Sequence, residues 1–281
     1  MNAIEIKNLS KSYNGFRLSD INLTLPQGAI MGLVGENGAG KSTTLKLIMN
    51  AITRDTGSVS VLGVDNCSPE FGAAKQEIGV VLDEAYFPEV LTARDVGRVM
   101  AGTYKNWDAA RYGECLARFT LPEKKHFKEF SRGMKMKLAI AVALSHAPRL
   151  LILDEATSGL DPMMRDEILD IFNDFTRDET HSILLSSHIV SDLEKICDYI
   201  AFIHRGRLLL CEEKDRLLEE YAVLHLGRDE LQAVPPEAIV GRRTSPYGVE
   251  VLVKKADVSS AFKAERTTLE EIILFMAKGE K

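Results

Sequence analysis

An α/β architecture, with a mainly parallel sheet flanked by helices, is what this sequence predicts, and three observations carry it. The stretch Gly35-Glu36-Asn37-Gly38-Ala39-Gly40-Lys41-Ser42-Thr43 lies between a short apolar run, Ala29–Val34, and a helical pattern of Leu45, Leu47, Ile48 and Met49. Strand, glycine loop and helix is the context in which bare backbone N–H groups cradle phosphate. The segments Ile78-Gly79-Val80-Val81-Leu82 and Leu150-Leu151-Ile152-Leu153 are continuous apolar runs, as expected of strands buried on both faces. Helical periodicities alternate with such runs from Ser131 to Ile203, which is the pattern of parallel strands joined by crossover helices.

In chain order, Ile4–Leu9 alternates apolar and polar residues, and Ile21, Leu23 and Leu25 repeat the alternation before the turn Pro26-Gln27-Gly28. These read as half-buried antiparallel strands beside a nucleotide-binding core, joined by a further short strand, Gly57–Gly63. From Asp83 to about Phe130 the pattern becomes helical, with Val96, Val99, Met100 and Tyr104 on one face, and residues about 84–147 are expected to form an inserted helical subdomain. A helix opens at Ser131-Arg132-Gly133 and is stopped before Pro148. The run Leu150–Leu153 follows it. A helix carrying Met164, Ile168, Ile171 and Phe175 comes next, then strand Ser182–Ser186, a helix with Val190, Leu193 and Ile196, and strand Tyr199–Ile203. Past Glu212 two strand-like pieces, Val223–Leu226 and Val249–Val253, and an amphipathic helix with Leu269, Ile272, Ile273 and Met276 make a small α+β extension. The expected division is a nucleotide-binding domain over 1–211 and an accessory domain over 212–281.

Composition narrows the partners. The formal net charge is −6 and no long Lys/Arg tract is present, which argues against nucleic acid. Cys67, Cys115, Cys197 and Cys211 are scattered without a C-x-x-C pair, so free thiols in a reducing compartment are expected, with neither a disulfide frame nor a zinc site. No apolar run approaches the ~18 residues that span a bilayer, and Met1–Lys7 lacks the pattern of a signal peptide. A cytoplasmic chain that meets a membrane only through a partner is the expectation.

The chemistry sits at strand ends. Lys41 supplies a point charge for the β- and γ-phosphates of a nucleoside triphosphate, and the Ser42 hydroxyl suits Mg²⁺. Asp154 and Glu155 end the Leu150–Leu153 strand, where ligands lie in open α/β sheets. Asp154 is expected to hold Mg²⁺ and Glu155 to act as general base on the attacking water. His188, ending a neighbouring strand, is placed to reach the γ-phosphate. Each also has a bland reading, since Asp-Glu and Ser-Ser-His often serve as turns or helix caps.

A glycine loop alone leaves kinases, GTPases, helicases and transport ATPases open. Gly35–Thr43, Leu151–Glu155, Ser158-Gly159-Leu160-Asp161 and His188 come in the order found in ATP-binding cassette (ABC) proteins, and over residues 3–210 the chain resembles the nucleotide-binding subunit of an ABC transporter. Phe130-Ser131-Arg132-Gly133-Met134 occupies the place of that family's Leu-Ser-Gly-Gly-Gln signature. The resemblance implies ATP and Mg²⁺ as ligands, with Tyr13 against adenine, Asn37, Gly38, Ala39, Gly40, Lys41, Ser42 and Thr43 around the phosphates, and Ser42, Asp83 and Asp154 at the metal. It further implies two cassettes paired head to tail, so that Ser131 and Gly133 of one chain serve the nucleotide held by the other, with Asp161 also among the nucleotide-binding residues. A homodimer is expected, together with a separately encoded transmembrane permease docking near Asp83, Tyr86 and Phe87 at the cytoplasmic face of the membrane. Tyr86 and Phe87 are read as an exposed aromatic pair, and Val90 and Leu91 as packing the helical subdomain. No guanine-reading Asn/Thr-Lys-x-Asp motif is present.

Two departures from the family pattern matter. Asp83 stands where the family has Gln, and in the signature Arg132 replaces the first glycine and Met134 the glutamine. Arg132 either aims at phosphate or lies on the surface, with the surface favoured because glycine's backbone freedom is lost. Asp83 and the Ser-Arg-Gly-Met signature resemble a bacterial branch of cassettes that drive two-gene exporters of antibiotics and peptides. The rival expectation is a non-transport or regulatory cassette with weak hydrolysis.

Overall fold

The structure, a computed structural model, describes residues 1–83, 87–227, 230–246, 248–259 and 262–279. Strands β1 (Asn2–Tyr13) and β2 (Phe16–Pro26) form a long hairpin, and β3 (Ile30–Val34) runs into the glycine loop and helix α1 (Lys41–Ile48). Strands β4 (Thr56–Val61) and β5 (Val64–Asp65) follow, then the single turn α2 (Phe71–Ala74) and β6 (Ile78–Val81). Helices α3 (Ala93–Thr103), α4 (Ala109–Arg118) and α5 (Arg132–Leu144) follow, in the stretch expected to form the helical subdomain. The core resumes with β7 (Leu150–Asp154), α6 (Pro162–Phe175), β8 (Ser182–Ser187), α7 (Val190–Ile196), β9 (Tyr199–His204) and β10 (Arg207–Glu213). Beyond it lie α8 (Lys214–Glu220), β11 (Tyr221–Leu226), β12 (Ile239–Ser245), β13 (Gly248–Lys254), β14 (Glu265–Arg266) and α9 (Leu269–Lys278).

The central sheet has the order β10-β9-β3-β8-β7-β6. Its strands are parallel except β10, which returns antiparallel to β9 through the turn Arg205-Gly206. The buried runs of β3, β7 and β8 explain their central places. By contrast β6 pairs, among the described residues, only with β7 and is an edge strand. Its continuous apolar run reflects cover on its faces, with Ile78 and Val81 buried; an apolar run reports buried faces and is silent about neighbouring strands. The second sheet, β2-β1-β4-β5, is antiparallel, and packs Ile4, Ile6, Leu23 and Leu25 against α1 and the core sheet.

In the helical subdomain, Thr92 and Asp95 form a reciprocal capping box at the start of α3, and Asp108 caps α4. Val96 is fully buried, but Val99, expected on the same face, is 50% exposed. The buried stripe instead runs through Ala93, Val96 and Gly97, because the Tyr112 ring packs directly on Gly97 and its hydroxyl donates to Ala93 O at 2.7 Å.

The C-terminal extension is more tightly joined than a separate appendage. Its sheet, β12-β13-β11-β14, follows the period-2 rule. On β11, Ala222, Leu224 and Leu226 face a local core, while Tyr221 and Val223 turn to the main one. Helix α9 sends Leu269, Ile272, Ile273 and Phe275 into the same main core. The expected division at 211/212 falls inside β10.

The four cysteines are free thiols. Burial pushes the thiol pKa of Cys115, Cys197 and Cys211 upward, whereas Cys67 is exposed. A thiol-labelling time course on the native protein near pH 7 should therefore show one fast group, lost in Cys67→Ser, and three slow ones. Equal rates for all four would contradict the burial seen here.

Candidate nucleotide site

A cavity of about 410 Å³ opens at the C-terminal end of the parallel strands, lined by Phe16, Glu36, Asn37, Gly38, Gly40, Lys41, Ser42, Thr43, Asp83 and Glu155. Its floor is the glycine loop. Gly35 is obligatory by close approach: a Cβ there would sit 2.3 Å from the Ile203 carbonyl oxygen. Gly40 has φ +116°, and its Cβ would meet Leu18 Cδ1 at 2.8 Å. Helix α1 starts at Lys41 with no side-chain cap, so its first N–H groups and its dipole are directed to an anion. Ala39, also expected at the phosphates, is buried, and its N–H donates to Glu36 O at 3.0 Å. That bond closes the loop, and Ala39 itself is outside the cavity lining.

The β9–β10 turn holds the loop from behind. Gly206 N donates to Ala39 O at 2.9 Å, and Ser19 N donates to Gly206 O at 2.8 Å. A Cβ on Gly206 would lie 1.9 Å from Arg17 O. Sequence reasoning passed over this residue, although Arg205-Gly206 between two apolar runs is a hairpin signal.

Lys41 is buried and donates from Nζ to Gly35 O at 2.9 Å. Its Nζ also lies 3.4 Å from Glu155 Oε1. That is an ion-pair distance without hydrogen-bond geometry, so Oε1 is a buried oxygen lacking a hydrogen-bond partner among the described residues. The other oxygen, Oε2, meets His188 Nδ1 at 2.6 Å. Glu155 adopts φ +52°, a left-handed conformation costing a non-glycine residue about 1–2 kcal/mol. Its N–H is fixed by Ser186, through the backbone O at 3.1 Å and Oγ at 3.2 Å. Ser186 Oγ in turn donates to Asp154 Oδ1 at 2.5 Å. One strand-end serine thus orients both acids, a role the Ser186-Ser187-His188 sequence did not disclose.

The oxygen donors expected for Mg²⁺ are present. Ser42 and Asp83 line the cavity, and buried Asp154 ends β7 next to Glu155. Among the described residues no cluster of three or more His, Cys, Asp or Glu is set to hold a metal alone. Mg²⁺ at phosphates needs only one or two carboxylates and keeps its waters, so this donor set fits it.

Other expected residues lie apart from the cavity lining. Tyr13 is 46% exposed, faces Phe16 across the β1–β2 hairpin and has Lys11 Nζ 5.6 Å from its ring centroid. The aromatic ring in the lining is that of Phe16, which sequence reasoning did not single out. Ser131 caps α5 by accepting from Met134 N at 3.3 Å, and Asp161 caps α6 by accepting from Met164 N at 3.1 Å. Gly133 is uncrowded, with Leu160 Cδ2 3.4 Å from its would-be Cβ. The cavity of a single chain therefore lacks Ser131, Gly133 and Asp161. Arg132 is exposed, as favoured, but bonded: it donates to Asp83 Oδ1 at 2.9 Å.

The docking expectation needs correction. Tyr86 lies outside the described residues. Phe87 is half-buried, packed edge-on against Phe127 with ring centroids 5.5 Å apart. Val90, expected to pack the subdomain, is 70% exposed, while Leu91 does pack against the core. Pro88 and the turn after it place Phe87 inward and Val90 outward.

The ABC transporter family matches residues 18–158, and a family described as an AAA domain matches residues 126–191. The ABC transporter ATP-binding protein YtrB of Bacillus subtilis is 32% identical, over 80% of this chain and 77% of that protein. The lantibiotic transport ATP-binding protein SrtF of Streptococcus pyogenes is 36% identical, over 75% of this chain and 91% of its own length. The bacitracin transport ATP-binding protein BcrA of Bacillus licheniformis is 34% identical, over 73% of this chain and 68% of its own. Among solved structures, an ATP-binding subunit of an ABC transporter superposes with TM-score 0.70 at 29% identity, covering 76% of this chain and 91% of that one. The dimeric ATP-binding cassette MJ0796 bound to ADP and phosphate, at 21% identity and TM-score 0.68 over 75% of this chain and 98% of its own, shares the fold. With that agreement running through the glycine loop and the strand that ends at Asp154 and Glu155, the chain belongs to the ABC transporter family, among its ATP-binding, ATP-hydrolysing subunits.

Proposed function

We propose that this subunit drives export of a peptide, antibiotic or other amphipathic compound through a separate transmembrane permease, at the cytoplasmic face of the membrane. The observation that carries the catalytic part is Glu155, whose carboxylate is held between Lys41 and His188 with Oε1 free of hydrogen bonds to the described residues. ATP enters over the glycine loop, and Lys41 exchanges its contact with Glu155 for the β- and γ-phosphates. Glu155 Oε1 then takes a proton from the water that attacks the γ-phosphorus, and the bond to the bridging oxygen of ADP breaks. His188, with its proton on Nδ1, donates to Oε2 and keeps the carboxylate aimed. Ser42 and Asp154, with Asp83 beside them, are the residues for Mg²⁺, which when bound neutralises charge on the phosphates. The export reading draws on the lantibiotic and bacitracin relatives. No helix among the described residues is long and apolar enough to cross a membrane, and in this proposal the pathway is formed by the separate permease.

Because the cavity of one chain lacks Ser131, Gly133 and Asp161, two copies paired head to tail complete it. Tyr13, exposed at the hairpin tip, is the proposed adenine platform, beside Phe16. Residues 212–281 are the accessory unit. The test is the ATPase rate of the purified subunit with and without the membrane protein encoded beside it, reconstituted in vesicles. Stimulation together with transport of an amphipathic peptide supports the reading. A cassette that copurifies with no membrane protein overturns it.

The permease is proposed to dock near Asp83, Tyr86 and Phe87, with exposed Val90 as the apolar contact. Val90→Glu should weaken copurification of the permease by ~2 kcal/mol or more, as loss of an anchor does, while leaving the melting temperature unchanged. Phe87→Glu should lower the melting temperature instead, since a carboxylate cannot replace a ring packed on Phe127. Intact copurification of Val90→Glu would remove this docking site.

A further inference from the structure

Asp83 and Arg132, 49 residues apart in sequence, meet in an ion pair of 2.9 Å. The guanidinium does more than neutralise one carboxylate. Three of its atoms, Nη1, Cζ and Nε, lie 3.1, 3.2 and 3.3 Å from where a Cβ on Gly159 would stand. Such equal distances mean that the planar group rests face-on over the glycine. One side chain at the start of α5 therefore touches both the loop after β6 and the loop that links Glu155 to α6. Both loops descend from strand ends at the nucleotide cavity.

The charge balance of the cavity gives this contact a purpose. Its lining carries three carboxylates, Glu36, Asp83 and Glu155, against one ammonium, Lys41. A triphosphate adds further negative charge, so an unpaired Asp83 opposes its entry. Arginine remains charged at any working pH and binds a carboxylate directionally. The pair is half exposed, so its worth to folding is small.

We propose that Arg132 is a positioning residue for the ATP site, acting through Asp83: it cancels that carboxylate and ties its loop to the signature helix so that a triphosphate is accepted. The need for Arg132 then exists only while residue 83 is acidic. This rests on the ATP-binding reading above.

A double-mutant cycle tests it, with binding of a fluorescent ATP analogue read in EDTA and melting temperature recorded alongside. Arg132→Ala should weaken binding about fivefold with little change in melting, the scale of a coupled charge pair. Asp83→Asn should bind at least as well as wild type. In the Asp83→Asn background, Arg132→Ala should change binding by less than about twofold, a non-additive result. Arg132→Lys should recover part of the loss, and the fivefold effect should shrink in high salt. Equal weakening by Arg132→Ala in both backgrounds, or none in either, overturns the proposal while leaving the ATP site intact. Wild type that binds no analogue, no better than Lys41→Ala, overturns the ATP site and this proposal together.

Discussion

Glu155→Gln should lower steady-state ATP turnover by ~10²–10⁴, the usual share of a general base, while nucleotide binding persists. Glutamine keeps the shape of the side chain and still offers an oxygen to His188, now 2.6 Å from Oε2. It cannot take a proton from water. It also removes the negative partner 3.4 Å from Lys41 Nζ, freeing that ammonium for phosphate, so an ATP-bound dimer should accumulate and run ahead of the monomer in gel filtration. Glu155→Gly separates geometry from chemistry. It relieves the left-handed backbone at φ +52°, a gain of about 1 kcal/mol that offsets part of the lost contacts to Lys41 and His188, yet it should be as inactive as the glutamine variant. Normal turnover in Glu155→Gln would end the assignment of the base.

What was legible in the sequence was whatever depends on local pattern. The glycine loop, the strand ends at Asp154–Glu155 and His188, and the helix opening at Ser131 are set by neighbours in sequence, and the structure has each on the expected element. Contacts that depend on distant segments were not legible. Phe16 enters the cavity because Gly40 leaves room for its ring. Gly206 supports the glycine loop from the far edge of the sheet. Phe87 and Val90 exchanged roles because exposure in a short irregular stretch follows from one turn and one neighbour, Phe127, which no periodicity records. The position of β6 at an edge is of the same kind, since sheet order is decided by pairing partners. Asp83 and Arg132 could be read singly as departures; that they compensate one another required seeing them 2.9 Å apart.

Mixing two inactive variants should restore activity if the working unit is a homodimer with shared sites. Lys41→Ala removes the buried ammonium of the glycine loop, and every site in its homodimer fails. Ser131→Arg places a long cation at the exposed cap of α5, and every site in its homodimer fails as well. In the mixed dimer both lesions fall on one site, and the other combines an intact glycine loop with an intact signature serine. Random exchange of subunits makes about half of the dimers mixed, each with one sound site, so about a quarter of wild-type turnover is expected if a single site works alone. Loss of the cap costs about 1 kcal/mol, so each variant must first be shown to melt cooperatively. Mixing is proved separately with two different affinity tags. Return of turnover after mixing assigns Ser131 of one copy to the nucleotide of the other. Mixed dimers that recover nothing would mean that the cavity is completed by an unlike cassette, and purification from the native membrane would then bring down a second ATP-binding chain.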